Sequence, residues 1–219
     1  MIKQTQTFLN YFLDLQLIVD GIQGDQTNQA IRDAITKLQR KFAKEKLTWN
    51  SEFNFIGIRT SNEFTDLFTD WFVVFAYGTL IAVPASTVAG LSQAIKNATL
   101  NVEGIKGVAI LAPNQQINYK LVNPAGGWSD WSGGIGFLYQ DHPVKIYRDN
   151  IADANLDYLQ PQTGYYGINV HSWQGFNYDH VDNLSQGCQV TKYCYWVPLF
   201  ELLRKSAENN RMVYTLLQW

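Results

Sequence analysis

The sequence predicts a mostly β protein: a β-rich domain over 50–219 with one late α-helix, preceded by a small α-helical module over 1–46. Three observations predict it. Residues 1–46 carry apolar stripes at helical spacing. From residue 50 the text breaks into short β-rich runs separated by Gly, Pro, Asn and Asp. A single helical pattern then stands near the far end.

In the first helix Phe8 and Phe12, with Leu9 and Leu13, recur every four residues and give one apolar face. In the second, Ile31, Ile35, Leu38 and Phe42 form one amphipathic stripe, with Thr27 as the expected N-cap. Gly21 and Gly24 permit a tight loop between them. The expected strands are 53–59, 71–75, 79–84, 107–111, 117–122, 135–139, 144–147, 167–171, 188–191 and 212–217, in a mostly antiparallel arrangement. Only 197–207 reads as a helix in this part, with Leu199, Leu202 and Leu203 on one side. The glycine-rich 123–134 reads as a flap or rim carrying Trp128 and Trp131.

An apolar fraction of 46%, with 12 Phe, 12 Tyr and 7 Trp, can build a core and argues against disorder. A formal charge of −2 gives no general attraction to nucleic acid or anionic lipid, and the basic run 37–46 reads as a solvated helix face. The N-terminus has no secretory pattern and no stretch is long and apolar enough to insert in a membrane. The expectation is synthesis in the cytoplasm without a signal peptide. Cys188 and Cys194 do not make a disulfide framework, and no cofactor is expected.

The chemistry concentrates in 164–190, GYYGINVHSWQGFNYDHVDNLSQGCQV. A strand-like run ends in His171, and Ser185-Gln186-Gly187-Cys188 opens the next. A thiol attacks as its thiolate, so a nucleophilic cysteine needs a base within reach; histidine serves and can return the proton to a leaving amine. The oxygen that becomes negative needs fixed donors, commonly backbone N–H groups. Glycine before the cysteine lets the backbone turn and approach a substrate. If the strands flanking 172–186 are neighbours, His171 and Cys188 face one another, and a thiol reagent is expected to label Cys188 quickly at neutral pH.

These residues resemble the L,D-transpeptidase (YkuD-like) family, whose pattern is a strand ending in His-Gly and then (S/T)-x-G-C followed by a hydrophobic residue and Arg. His171, Ser185, Gly187 and Cys188 match. The resemblance covers about 50–219 and implies that Cys188 attacks a wall-peptide carbonyl with His171 as base. It implies that the Gly187 and Cys188 N–H groups hold the oxyanion and that Ser185 ties the loop. Ser172, Gln186 and Val190 depart from the family's Gly, His and Arg. Arg148 is the candidate for the missing positive charge, against a salt bridge to Asp149 or a turn contact. Ser172, Trp173 and Gln186 are further candidate substrate contacts, and Trp128 and Trp131 candidate groove residues.

The loop V-D-G-I-Q-G with Thr27 and Ala30-Ile31 resembles a small peptidoglycan-binding module; the alternative is a hairpin that packs on the main domain. Together the two resemblances imply a phage-type peptidoglycan hydrolase or transpeptidase. Its partners would be bacterial peptidoglycan and virion proteins, and it would act at the wall after release or as part of a virion. Two rivals stand beside this reading. His171, His180, Cys188 and Cys194 are zinc-type ligands, at spacings that match no finger or ribbon. The fold could also serve as a non-catalytic wall-binding or structural virion protein.

Overall fold

The computed structural model describes residues 1–99, 107–122, 135–173 and 175–219. The elements, in chain order, are α1 (Ile2–Leu13), α2 (Asp25–Lys44), β1 (Phe53–Arg59), β2 (Asp70–Ala76), β3 (Thr79–Ser86), α3 (Leu91–Thr99), β4 (Val108–Leu111), β5 (Gln115–Val122), β6 (Phe137–Gln140), β7 (Val144–Asp149), β8 (Leu159–Gly164), β9 (Val170–His171), β10 (Gln189–Thr191), α4 (Tyr193–Ser206) and β11 (Arg211–Gln218). Eight strands close a barrel in the order β1-β11-β5-β6-β9-β10-β3-β2, and β4-β7-β8 form a separate sheet. The barrel pairs are antiparallel except β1 with β11 and β9 with β10. The predicted 123–134 flap, Trp128 and Trp131 lie outside the described residues.

Period-two alternation, with both faces buried, explains the unbroken apolar runs of β1–β3. Phe55, Phe72, Val74, Val83 and Ala85 point into the barrel. Their neighbours Ile56, Ile58, Trp71, Val73, Leu80 and Ala82 point outward and meet Phe8, Leu9, Phe12, Ile31, Leu38 and Phe42 of the helical hairpin in one cluster. Each such aromatic or aliphatic side chain contributes roughly 1.5–3 kcal/mol when fully buried. The hairpin therefore roofs one wall of the barrel, and Thr5 Oγ1 accepts the Ala82 N–H at 3.1 Å across the same contact. Inside, Trp196, Leu199, Phe200 and Leu203 of α4 join the core, and the Trp196 indole donates to Gly136 O at 3.0 Å.

Several sequence expectations need correction. Thr27 is not an N-cap: α2 begins at Asp25 after Gly24, and the Thr27 hydroxyl turns inward to Gln6 at 3.3 Å. Lys37 is not simply solvated. Its ammonium donates to the Phe12 carbonyl at 2.6 Å and lies 4.7 and 5.1 Å from the Phe12 and Trp219 ring centres. α3 and β8 were not expected. β8, Leu-Gln-Pro-Gln-Thr-Gly, edges the small sheet with no buried residue, so no apolar period marks it. α4 starts at Tyr193, a turn before the expected 197, and holds Pro198 within it. The run 167–171 pairs only over Val170–His171, because Gly167 turns the chain at φ +67°.

Candidate active site

β9 and β10 lie side by side and parallel, with Gln189 opposite Val170 and Val190 opposite His171. Registered residues of a parallel pair project from the same face, and successive residues alternate. Val170 belongs to the barrel core, whereas Val190 packs outward with Val181, Leu184, Phe68, Phe176 and Cys188. His171 and Cys188 thus share the outer face, offset by two positions. The sequence reading required the strands flanking 172–186 to be neighbours; β9 and β10 are, with Cys188 immediately before β10.

The approach to β9 is fixed by side chains instead of a ladder. Buried Gln140 accepts the N–H groups of Tyr166 (3.0 Å) and Ile168 (3.1 Å) and donates to Gly164 O (2.9 Å), while Asn169 Oδ1 accepts the Gln140 N–H (3.0 Å). This holds two backbone groups against the thiol. The Asn169 N–H donates to Cys188 Sγ at 3.5 Å, and Sγ–H points to Gly167 O at 3.5 Å. Neither partner was evident from the sequence, since a backbone amide leaves no residue-type signal.

The loop before Cys188 is tied by Ser185, as the resemblance implied. Its hydroxyl donates to Cys188 O at 2.7 Å and accepts the Gly187 N–H at 3.1 Å. Gly187 has φ +137°, and a Cβ there would stand 2.7 Å from Ala109 O, so glycine is required on both counts. One expected oxyanion donor is therefore spent: the Gly187 N–H already faces Ser185. The Cys188 N–H has no acceptor among the described residues.

His171 is buried, and its Nδ1 lies 3.4 Å from Ser172 O. A carbonyl can only accept, so the proton sits on Nδ1 and Nε2 keeps the lone pair a base needs. No hydrogen bond joins the imidazole to the thiol among the described residues. Burial pushes the His171 pKa down to about 4, with the Ser172 carbonyl opposing. Although part of Cys188 reaches solvent, burial of its sulfur pushes the thiol up to about 11, with the Asn169 N–H opposing. With those shifts both groups rest neutral at pH 7, so the thiolate forms only as a base takes the proton. The thiolate fraction at pH 7 is on the order of 10⁻⁴. Alkylation by iodoacetamide, in a Cys194→Ser background, is therefore expected to be slow at pH 7 and to rise about tenfold per pH unit up to pH 10. A rate at pH 7 equal to that of a free exposed thiol would contradict the burial argument.

Arg148, on β7, sits opposite Ala109 of β4, whose carbonyl abuts Gly187. Its guanidinium lies 5.3 Å from the Tyr166 ring centre and makes only long contacts, 3.4 Å each, to Gln162 Oε1 and Gly107 O. Desolvation lowers its pKa, and no carboxylate pairs with it among the described residues. The salt bridge to Asp149 does not form: that carboxylate takes the Ile151 and Asp157 N–H groups at 3.1 and 2.7 Å. Trp173 and Gln186 are exposed on the loop. Ser172 is fully buried with an unpartnered hydroxyl, so a substrate contact from it, as expected, is not what the fold provides. His180 is exposed and bridges to Leu67, Cys194 is exposed on α4, and no cluster of three or more metal-type ligands forms among the described residues.

In the hairpin, the V-D-G loop is organised by buried Gln6. Its Nε2 donates to Asp20 Oδ1 at 2.9 Å and Ile22 O at 3.0 Å, and its Oε1 accepts the Gly21 N–H at 2.9 Å. The Gln6 bond lowers the Asp20 pKa. A shallow cavity of about 250 Å³ opens beside this loop, with Ile18 and Ile22 exposed on its rim.

The fold and site define a closed β-barrel with a thiol and an imidazole on the outer face of two parallel strands. No family model matches the chain, and no curated protein matches it either.

Proposed function

We propose that this protein is a cysteine-dependent acyl-transfer enzyme of L,D-transpeptidase type that cuts or exchanges stem-peptide or cross-link amides of bacterial peptidoglycan, as a phage-type lysin or virion-associated wall hydrolase. One observation carries the reading: Cys188 and His171 emerge on one face beside hydrogen-bonded parallel strands, and the Cys188 N–H has no acceptor among the described residues. With both groups neutral, the proton must leave as the bond forms. Sγ attacks the amide carbonyl carbon while His171 Nε2 accepts the thiol proton. The Cys188 N–H donates to the oxygen that gains charge. Collapse of that intermediate breaks the C–N bond, the imidazolium returns the proton to the amine, and a thioester remains. Water resolves it in hydrolysis, and a second amine does so in transpeptidation.

Arg148, with no carboxylate partner among the described residues, fits a substrate carboxylate, which a guanidinium can clamp with two charge-assisted bonds. Arg148→Ala is expected to raise KM roughly 10- to 100-fold with kcat little changed, matching about 1.5–3 kcal/mol for such bonds. An unchanged KM removes this role. The V-D-G loop and its cavity support wall anchoring by the hairpin.

Incubation with purified peptidoglycan, with fragment masses read against a Cys188→Ala control, tests the reading. New fragments from the intact protein alone, together with a mass adduct on Cys188, are expected. The resting neutral thiol also supports a second reading, a non-catalytic wall-binding or virion protein. Wall binding equal in both proteins, with no new fragments, favours that one.

A further inference from the structure

Gln189, directly after the nucleophile, is a polar residue with no exposed surface, pointing into an apolar barrel. An amide buried there needs a partner for each polar hydrogen and for its oxygen, and it has them. Its Nε2 donates to Thr87 O at 3.0 Å and to Gly187 O at 3.3 Å, while its Oε1 accepts the Tyr214 hydroxyl at 3.1 Å. The amide orientation is determined by these partners, because the flipped form would set oxygen against two carbonyl oxygens. Thr87 O also takes Arg59 Nη2 at 2.7 Å, so the anchor of Gln189 is itself held by a buried cation.

The consequence lies in the Gly187–Cys188 peptide. In a trans peptide the C=O and the following N–H point in opposite directions. No peptide bond among the described residues is cis. A hydrogen bond that draws the Gly187 carbonyl inward therefore turns the Cys188 N–H outward, toward the face where Sγ and His171 stand. Ser185 holds the other end of the unit through the Gly187 N–H and the Cys188 carbonyl. Gly187, at φ +137°, supplies the backbone geometry that lets this peptide turn over.

We propose that Gln189 is a positioning residue that clamps the Gly187 carbonyl from inside the barrel and thereby aims the Cys188 N–H at the oxyanion of acyl transfer. The inference rests on the reading of Cys188 as an acyl-transfer nucleophile. It concerns the orientation of one backbone donor, not the wall substrate.

Two reactions of the same sulfur separate this role from general damage. Acylation by p-nitrophenyl acetate passes through an oxyanion, whereas alkylation by iodoacetamide displaces iodide and forms none. In a Cys194→Ser background, Gln189→Leu is expected to slow acylation of Cys188 roughly 10- to 100-fold while leaving its alkylation within about twofold. Equal slowing of both, or of neither, overturns the positioning role and leaves the nucleophile reading intact. Absence of acylation in the unsubstituted protein overturns both. The folded protein itself supplies a second measurement if Gln189→Leu does not fold. Its Cys188 amide is expected to exchange with deuterium far faster than the amides of β3 and β11; strong protection would mean that the N–H is already bonded, and the proposal fails.

Discussion

Asp70→Ala is expected to cost about 3–5 kcal/mol of folding stability, the usual scale for removing one member of a buried charged network. Asp70 and Arg59 are both almost fully buried. Thr87 joins them: Asp70 Oδ2 accepts its N–H at 2.8 Å and its hydroxyl at 2.6 Å, and Arg59 Nε donates to the same hydroxyl oxygen at 3.0 Å. Asp70 Oδ1 takes the Thr60 N–H at 2.9 Å, and Arg59 Nη1 donates to Leu111 O at 3.0 Å. Removing the carboxylate strands three donors and takes away the buried acid to which Thr87 links the Arg59 guanidinium. Urea denaturation followed by tryptophan fluorescence reads the loss, and a cost below about 1 kcal/mol would contradict the network. The double variant Asp70→Leu, Arg59→Leu is expected to lose less than the two single changes combined, since neither charge is then stranded. Thr87 O also anchors Gln189, so the network bears on the thiol loop as well as on stability.

His171→Gln is expected to lower acylation of Cys188 by roughly 10²- to 10⁴-fold, the range for loss of a general base. The thiol is neutral at rest, so no preformed thiolate compensates. The same change alters the response to acid. The folded-state pKa of His171, about 4, lies below its ordinary value of 6.5. The unfolded chain therefore binds more protons between those limits. Stability is full above about pH 6.5 and falls as the pH drops toward 4, by on the order of 3 kcal/mol from this residue. Melting temperatures of wild type and His171→Gln measured from pH 7 to pH 4 give the comparison. The variant is expected to show a shallower acid slope, and parallel curves would show that His171 does not titrate as its burial requires.

Much of the barrel wall was legible because both faces of β1–β3 are buried, which writes long apolar runs into the chain. The stripes of α1 and α2 were legible for the same reason, but their target was not. An apolar face records that it is covered, not by what, and only the structure shows it meeting Ile56, Ile58 and Trp71. β8 left no trace because an edge strand with no buried residue has no periodicity. Gln140 gave no signal either, since an amide that replaces a strand ladder looks like any other polar residue. At the candidate site, the spacing of His171, Ser185, Gly187 and Cys188 drew attention to this segment, and it could not reveal that the Gly187 N–H is already occupied.

Residue order by itself determined the predominance of strands and the helical start, and it singled out one imidazole and one thiol at the two ends of a single loop. Those follow from local periodicity and from chemistry that needs particular residue types. The tertiary structure decided that β9 and β10 run parallel, that burial pushes the thiol pKa up and the imidazole pKa down, and that no described carboxylate pairs with Arg148. Each of these depends on desolvation and on contacts between residues far apart in the chain, and a pKa or a hydrogen-bond partner is set by what surrounds a group in space.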